Sequence, residues 1–262
     1  MAELLVLPLE IAAATTATGK TKPMTRLRIA LVGAAGRMGR AVLGVAESEG
    51  VEVVARTDLG DKIALADADV LIDFSHPDAS RSICDAAIKS KIPLVIGTTG
   101  HSTKQRDEIA AVAKQIAVVF ASNFSVGVNA LFALTEQAAK VLGGDFDLEI
   151  VETHHRMKKD APSGTAKTLA EILQRACNTK KLRHGREGMI GERERSEIGI
   201  HSVRGGDVVG DHSVIFAGQG ERVELTHRAS NRETFARGAL RAARWIIGKP
   251  AGLYDMRDVL GL

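Results

Sequence analysis

Two adjacent histidines and two adjacent lysines stand in the run Glu152-Thr-His-His-Arg-Met-Lys-Lys-Asp-Ala-Pro-Ser-Gly-Thr165. A histidine titrates near neutral pH and can move a proton there. The run ends in a helix-start signal, with Ser163 placed to cap the first turn. Free N–H groups at a helix start, with lysines beside them, hold an anion. These residue types at this spacing imply proton transfer on a small carboxylate or phosphate substrate.

The elements that must position the run can be read on either side of it. Residues 147–153 alternate polar and apolar, as a half-buried strand does. Downstream, Ala166, Leu169, Ala170, Leu173 and Cys177 fall at helical spacing. The run is therefore a strand-to-helix loop. Adjacent histidines do not readily converge on one ion, and no His-x-x-x-His pair is present, so no metal is expected.

A second chemical feature lies near the amino terminus. Residues 26–32 form a short apolar strand pattern that runs into Gly33-Ala34-Ala35-Gly36-Arg37-Met38-Gly39. A helical segment follows to about residue 49, a strand at 51–56, and then Asp58. Glycines there permit a tight turn and close approach of the backbone to a pyrophosphate, and a carboxylate at Asp58 can bind ribose hydroxyls. The alternation continues with strands at 68–74, 93–96 and 117–120 and helices at 77–90 and 103–115. Strands alternating with helices imply a parallel, doubly wound sheet whose ligands bind at the carboxyl ends of its strands. Gly97, Thr98 and Thr99 at one strand end, and Ala121, Ser122, Asn123 and Phe124 at another, suit a nicotinamide-ribose pocket. His76, before Pro77, reads as a helix cap.

A helix at 128–142 leads to the chemical loop. Residues 179–197 read as a solvated charged loop. Strands at 196–203, 207–217 and 222–228 follow, and the glycine-rich turns at 204–207 and 218–220 are expected to close hairpins. His201, His212 and His227 on these strands read as surface or cross-strand residues. A helix at 231–248 carries Arg237, Arg241 and Arg244 on a solvated face, and residues 252–262 pack back on the first region.

Composition excludes several function classes. The net charge of +3 is compatible with an anionic small substrate and gives no argument for nucleic acid. Aromatics at 3% disfavour a base-stacking surface. No apolar run reaches membrane-spanning length. Cys84 and Cys177 are the only cysteines, which fits a reducing compartment and a cytoplasmic location. Residues 1–23, Ala/Thr-rich and broken by Glu3 and Glu10, read as a weakly ordered extension before Met24.

The run His154-His-Arg-Met-Lys158-Lys-Asp-Ala-Pro-Ser-Gly-Thr165 resembles the signature of the 4-hydroxy-tetrahydrodipicolinate reductase family, also called dihydrodipicolinate reductase. The likeness extends through the glycine loop, Asp73-Phe-Ser, Ile96-Gly-Thr-Thr-Gly100, Ala121-Ser-Asn-Phe-Ser-Val-Gly-Val-Asn129, Arg204-Gly-Gly-Asp207 and Tyr254-Asp-Met-Arg-Asp-Val-Leu260. It covers nearly everything from residue 26 onward.

The resemblance implies reduction of a cyclic unsaturated dicarboxylate with NADH or NADPH, with loss of water, on the diaminopimelate route to lysine. It implies His154 as acid/base, Lys158 as a second proton donor and His155 as a substrate contact. Gly164 and Thr165 would hold a substrate carboxylate, with Ser163 in the same turn. Gly33–Met38, Asp58, Gly97–Thr99 and Ala121–Phe124 would hold the cofactor. Hydride adds to a carbon conjugated with an imine and leaves an enamine that must gain a proton, so a histidine beside the ring is useful.

Two departures stand out. Only residues 59–72 separate Asp58 from Asp73, which opens or rebuilds the adenine side. Leu59 stands where members accepting NADPH tend to place a basic residue. An acid without that partner repels a 2′-phosphate, so NADH is expected to be preferred, with NADPH possible through Arg56 or Lys62. The expected fold class is α/β, a Rossmann-type doubly wound parallel sheet with a second α+β domain on a mixed open sheet. The expected division is 1–23 as extension, 24–125 with 236–262 for the dinucleotide, and 126–235 for substrate and association, commonly as a homotetramer in the family. Another nicotinamide enzyme, such as an amino-acid dehydrogenase, would share the fold but lack the paired histidines.

Overall fold

The structure, a computed structural model, describes residues 26–262 with the exception of Leu59 and Lys180. The extension at 1–23 and the reading of Leu59 lie outside the described residues.

The first half alternates as its sequence dictates: β1 (Leu27–Val32), α1 (Arg37–Ala46), β2 (Val51–Thr57), β3 (Val70–Asp73), α2 (Ser80–Ser90), β4 (Leu94–Ile96), α3 (Thr103–Val112) and β5 (Ala117–Phe120). A short 3₁₀ turn, Pro77–Ala79, precedes α2, and His76 caps it by accepting from the Asp78 N–H. These strands are all parallel. Strands β1, β3, β4 and β5 read as apolar runs because both faces are covered, whereas β2 at the sheet edge carries the exposed Glu52 and Arg56. Ile29 and Leu31 of β1 point into one core with α1, while Ala30 and Val32 point into the other with α2 and α3.

The remaining elements are α4 (Val126–Leu142), β6 (Asp147–His154), α5 (Gly164–Cys177), β7 (Lys181–His184), β8 (Glu197–Arg204), β9 (Gly210–Ala217), β10 (Arg222–Ala229), α6 (Glu233–Ile246), β11 (Gly252–Tyr254) and α7 (Met256–Leu260). The chain returns at the end: β11 adds to β5 in parallel, giving the sheet order β11-β5-β4-β3-β1-β2. The tail thus rejoins the first sheet, as the sequence suggested. Strand order reverses between β1 and β3, the position where such sheets open a crevice for ligands. Helix α6 lies against the segment after β5 so closely that a Cβ at Gly238 would sit 1.8 Å from the Phe124 carbonyl oxygen.

The second sheet has the order β10-β9-β6-β8-β7. Strand β6 runs parallel to β8 and antiparallel to β9, so the sheet is mixed. Leu148, Ile150, Ile198, Ile200, Val214 and Phe216 face α4 and α5 and form a third core. Residues 218–220 do close a hairpin between β9 and β10. The turn at 204–207 does not. Strand β6 is inserted between β8 and β9, so their connection crosses over it.

The expected solvated loop at 179–197 is also corrected. It contains β7, paired in parallel with β8. Arg186 and Arg193 both bind the Glu149 carboxylate, and Arg183 and Arg186 bind the buried Glu197. The basic residues therefore fasten this segment to the sheet. Arg237, Arg241 and Arg244 lie on an exposed face of α6, as read, and Arg237 and Arg244 also pair with Glu49 on the α1 side.

Candidate active site

The glycine loop follows β1 into α1. Gly33 has φ +82°, and a Cβ there would lie 2.3 Å from the Phe74 carbonyl oxygen. Only glycine fits, because the loop after β1 is wedged against the end of β3. No side chain caps α1 at Gly36, so its leading N–H groups are available for an anion. Gly36, Arg37 and Met38 form one wall of a cleft of about 700 Å³, and Gly97, Thr98 and Thr99 form another. Asp58, at the end of β2, accepts the Ala35 N–H at 2.9 and 3.1 Å, which braces the loop beside it. The Thr98 hydroxyl is turned inward and accepts from the Ser75 N–H at 2.8 Å. Glycine cradle, uncapped helix start and flanking carboxylate fit a dinucleotide.

The third expected group divides. Ala121, Ser122 and Asn123 line a smaller hollow of about 250 Å³ with Asn129, Thr168 and Arg175, apart from the large cleft. Phe124 is 2% exposed and meets Phe74 edge-on in the first core. Its side chain is a packing element, which leaves its backbone as the only part that could approach a ligand. Ala34 is likewise buried.

The chemical loop begins at the end of β6. Period-two alternation places Leu148, Ile150, Glu152 and His154 on the face toward α4 and α5. Glu152 is wholly buried. Arg204, from the end of β8, meets both of its oxygens, Nη1 to Oε2 at 2.9 Å and Nη2 to Oε1 at 2.8 Å. The Ser163 N–H donates to Oε1 at 3.2 Å, and His154 Nδ1 hydrogen-bonds Oε2. Burial alone would raise the Glu152 pKa, but Arg204, Ser202 and His154 overcome it and pull it down to about 2. Burial has the larger hand in His154 and lowers its pKa despite the carboxylate.

Ser163 caps α5 through the Ala166 N–H, as expected, and its hydroxyl also meets His212 Nε2 at 3.0 Å. His212 lies edge-on to His154 with ring centroids 5.1 Å apart. Burial, then the neighbouring His154, pushes His212 down to about 3, so it stays neutral. Of the two readings, surface or cross-strand, the second holds: His212 is buried and stands opposite Glu152 on β6 and His227 on β10. A signal existed: His212, Val214 and Phe216 share the inward period of β9.

His155 and Lys158 are partly exposed on the loop, with Lys158 Nζ 2.8 Å from Asp160. The loop is pinned to the 204–208 turn by His155 N–H to Val208 O and by Gly205 N–H to His154 O. Gly164 and Thr165 open α5, and Asn123 Nδ2 donates to Thr165 Oγ1 at 3.1 Å. The two sequence-predicted groups therefore meet at the end of β5. Glu152, His154 and His212 also bring possible metal-binding atoms within 4.8 Å of one another. Arg204 already occupies both oxygens of Glu152 with a fixed positive charge, so the trio is built for hydrogen bonding rather than for a cation.

The family model described as "Dihydrodipicolinate reductase, N-terminus" matches residues 27–124, and its counterpart "Dihydrodipicolinate reductase, C-terminus" matches residues 127–260. A 4-hydroxy-tetrahydrodipicolinate reductase from Akkermansia muciniphila is 54% identical over 242 residues, covering 90% of this chain and 98% of the relative. One from Thiobacillus denitrificans is 48% identical over 264 residues, covering 90% and 99%. The solved structure of dipicolinate-bound dihydrodipicolinate reductase from Paenisporosarcina sp. TG-14 superposes with a TM-score of 0.70 at 25% identity, covering 87% of this chain and 97% of that one.

Proposed function

The chain belongs to the dihydrodipicolinate reductase family and is an oxidoreductase of the diaminopimelate route to lysine, and from that premise we propose how its own residues perform the reduction of 4-hydroxy-tetrahydrodipicolinate. A nicotinamide dinucleotide, when bound, would supply the hydride. Gly33–Met38 at the uncapped start of α1 would hold its pyrophosphate, with Gly97–Thr99 across the cleft and Asp58 available to the adenine ribose. Ala121, Ser122 and Asn123 would close the cofactor side from the turn after β5, with Phe124 contributing only its backbone because its ring packs on Phe74.

The substrate lies over the loop of residues 154–165. Gly164 and Thr165 hold one carboxylate at the start of α5, where N–H groups and the helix dipole favour an anion, while Ser163, its N–H and hydroxyl taken by Glu152, Ala166 and His212, sets the shape of that turn. His155 and Lys158 contact the ring and the second carboxylate. His154 gives the proton that completes the reduction, and Lys158 is the second donor. The observation that carries this reading is the pose of His154. Its Nδ1 is engaged by Glu152, and no hydrogen bond from the described residues reaches Nε2, which leaves that atom for substrate. Substrate carboxylates raise the His154 pKa on binding and oppose the effect of burial.

NADH is the preferred nucleotide in this reading, because Asp58 repels a 2′-phosphate. The division at 126 and 235 and a cytoplasmic homotetramer belong to the same proposal. Among the described residues no helix is long and apolar enough to cross a membrane.

The test is loss of NADH absorbance when substrate is generated in place from pyruvate and aspartate semialdehyde. His154→Ala and Lys158→Ala are each expected to cut kcat by roughly two to four powers of ten. Activity that survives both changes would defeat the assignment.

A further inference from the structure

Glu152 lies on the strand that delivers His154, two residues before it, and faces the same way. A carboxylate with no exposed surface costs several kcal/mol unless it is paired and fully hydrogen-bonded. Both oxygens here are met, by Arg204, by the Ser163 N–H and by His154. Register explains the match: β6 and β8 run side by side with His154 opposite Arg204. Arg204 also donates from Nη2 to the Asp160 carbonyl at 2.8 Å. One guanidinium therefore ties the strand before the loop to the loop itself.

We propose that Glu152, clamped by Arg204, is the positioning residue that holds the neutral His154 ring as its Nδ1–H tautomer and so directs Nε2 at the substrate. This rests on the reading of His154 as the proton-transfer group.

The tautomer follows from donor chemistry. An ionised carboxylate only accepts hydrogen bonds, so the nitrogen facing it must carry the proton. With Nδ1 protonated, the lone pair of neutral His154 lies on Nε2. After the ring picks up a proton there, Nε2–H is the donor and Glu152 stabilises the imidazolium. The ring faces four groups: Glu152 on its own strand, Arg204 from β8, His212 from β9 and Lys158 on the loop. Lys158 and Arg204 oppose the charged ring, and His212 is neutral. Glu152 is the one of the four that favours it. Loss of the carboxylate charge should therefore lower the pH at which His154 gives up its proton.

The experiment compares Glu152→Gln, which is isosteric and neutral, with Arg204→Lys, which keeps the charge but lacks the two-pronged geometry. Glu152→Gln should lower kcat by roughly 10- to 1000-fold, with KM changed much less. The alkaline limb of its pH–rate profile should move down by about one unit. Arg204→Lys, which keeps the charge but loses the two-pronged hold on Glu152, should lower kcat by a smaller factor. Nitrogen-15 NMR of the histidines should show Nδ1–H at His154 in the wild type and Nε2–H in Glu152→Gln. A folded Glu152→Gln enzyme with wild-type kcat and an unmoved limb would overturn the proposal. So would a wild-type His154 protonated on Nε2, a readout that stands even where the variant fails to fold. The two readings separate cleanly. Full activity in His154→Ala removes the proton-transfer reading itself. An inactive His154→Ala beside a wild-type Glu152→Gln removes only the role of Glu152.

Discussion

Asn123 Nδ2 and Thr165 Oγ1 lie 3.1 Å apart and join the end of β5 in the first sheet to the opening turn of α5 beside the second. Asn123 is itself held, because its Oδ1 accepts the Ser125 N–H and its carbonyl accepts from Asn129. The bridge therefore fixes the proposed carboxylate turn relative to the cofactor side.

Thr165→Val removes the hydroxyl and keeps the shape. It should raise the KM for substrate by about tenfold, the effect of losing one hydrogen bond to a charged group. Its kcat should change less, since no proton moves through Thr165. Asn123→Ala should show a weaker rise, because the hydroxyl survives and only its placement loosens. A Thr165→Val enzyme with unchanged KM would argue that the carboxylate sits elsewhere.

Asp58 braces the glycine loop through the Ala35 N–H, and in the proposed cofactor reading it faces the 2′ position of the ribose. Asp58→Asn keeps an acceptor for that N–H while removing the charge. The wild type should show higher kcat/KM with NADH than with NADPH. The variant should move the ratio toward NADPH by about tenfold, corresponding to ~1.4 kcal/mol of relieved repulsion. A wild-type preference for NADPH would show that Arg56 or Lys62 dominates the adenine end.

The features legible in sequence were those fixed by local pattern. The apolar runs of β1, β3 and β4, the Gly33 turn and the Ser163 cap each declare themselves within a few residues. What escaped was set by partners far along the chain. Nothing near residue 204 indicates that β6, some fifty positions earlier, inserts between β8 and β9. Arg186 and Arg193 look like a solvated basic loop until Glu149 is brought beneath them by the fold. Glu152 looked like the polar start of a loop. Its inward side follows from the period of β6, but its tolerance of burial depends on Arg204, which local pattern cannot supply. Phe124 sat in a motif read for ligand contact, and the motif proves partly a packing device.

The corrected segment at 181–197 offers its own test. Arg186 bridges Glu149 at 17% side-chain exposure and Glu197 at 1%. Arg186→Ala should lower stability by about 1–3 kcal/mol by leaving the Glu197 charge short of a partner. Hydrogen exchange should quicken at the amides of β7 and the start of β8 while the first sheet is unaffected. Unchanged protection there would mean that Arg183 and Arg193 suffice to fasten the segment.

Acid should unfold this protein through two carboxylates in particular. Glu149, among Arg186, Arg193 and His201, and Glu152, beside Arg204, both fall from 4.5 to about 2 in the folded state even though burial works against ionisation. The sign follows directly. A depressed folded pKa means that the unfolded chain binds protons first as pH falls, so stability is full above pH 4.5 and drains as the pH drops toward about 2. Denaturant unfolding free energy should therefore be nearly flat with respect to these groups from pH 7 to about 5 and fall steeply below about 4. Glu152→Gln should start from a lower stability at pH 7, because Arg204 is left with an uncharged partner, and should lose less on acidification. Parallel wild-type and Glu152→Gln curves down to about pH 2 would show that the carboxylate is not held ionised by Arg204 in the folded protein.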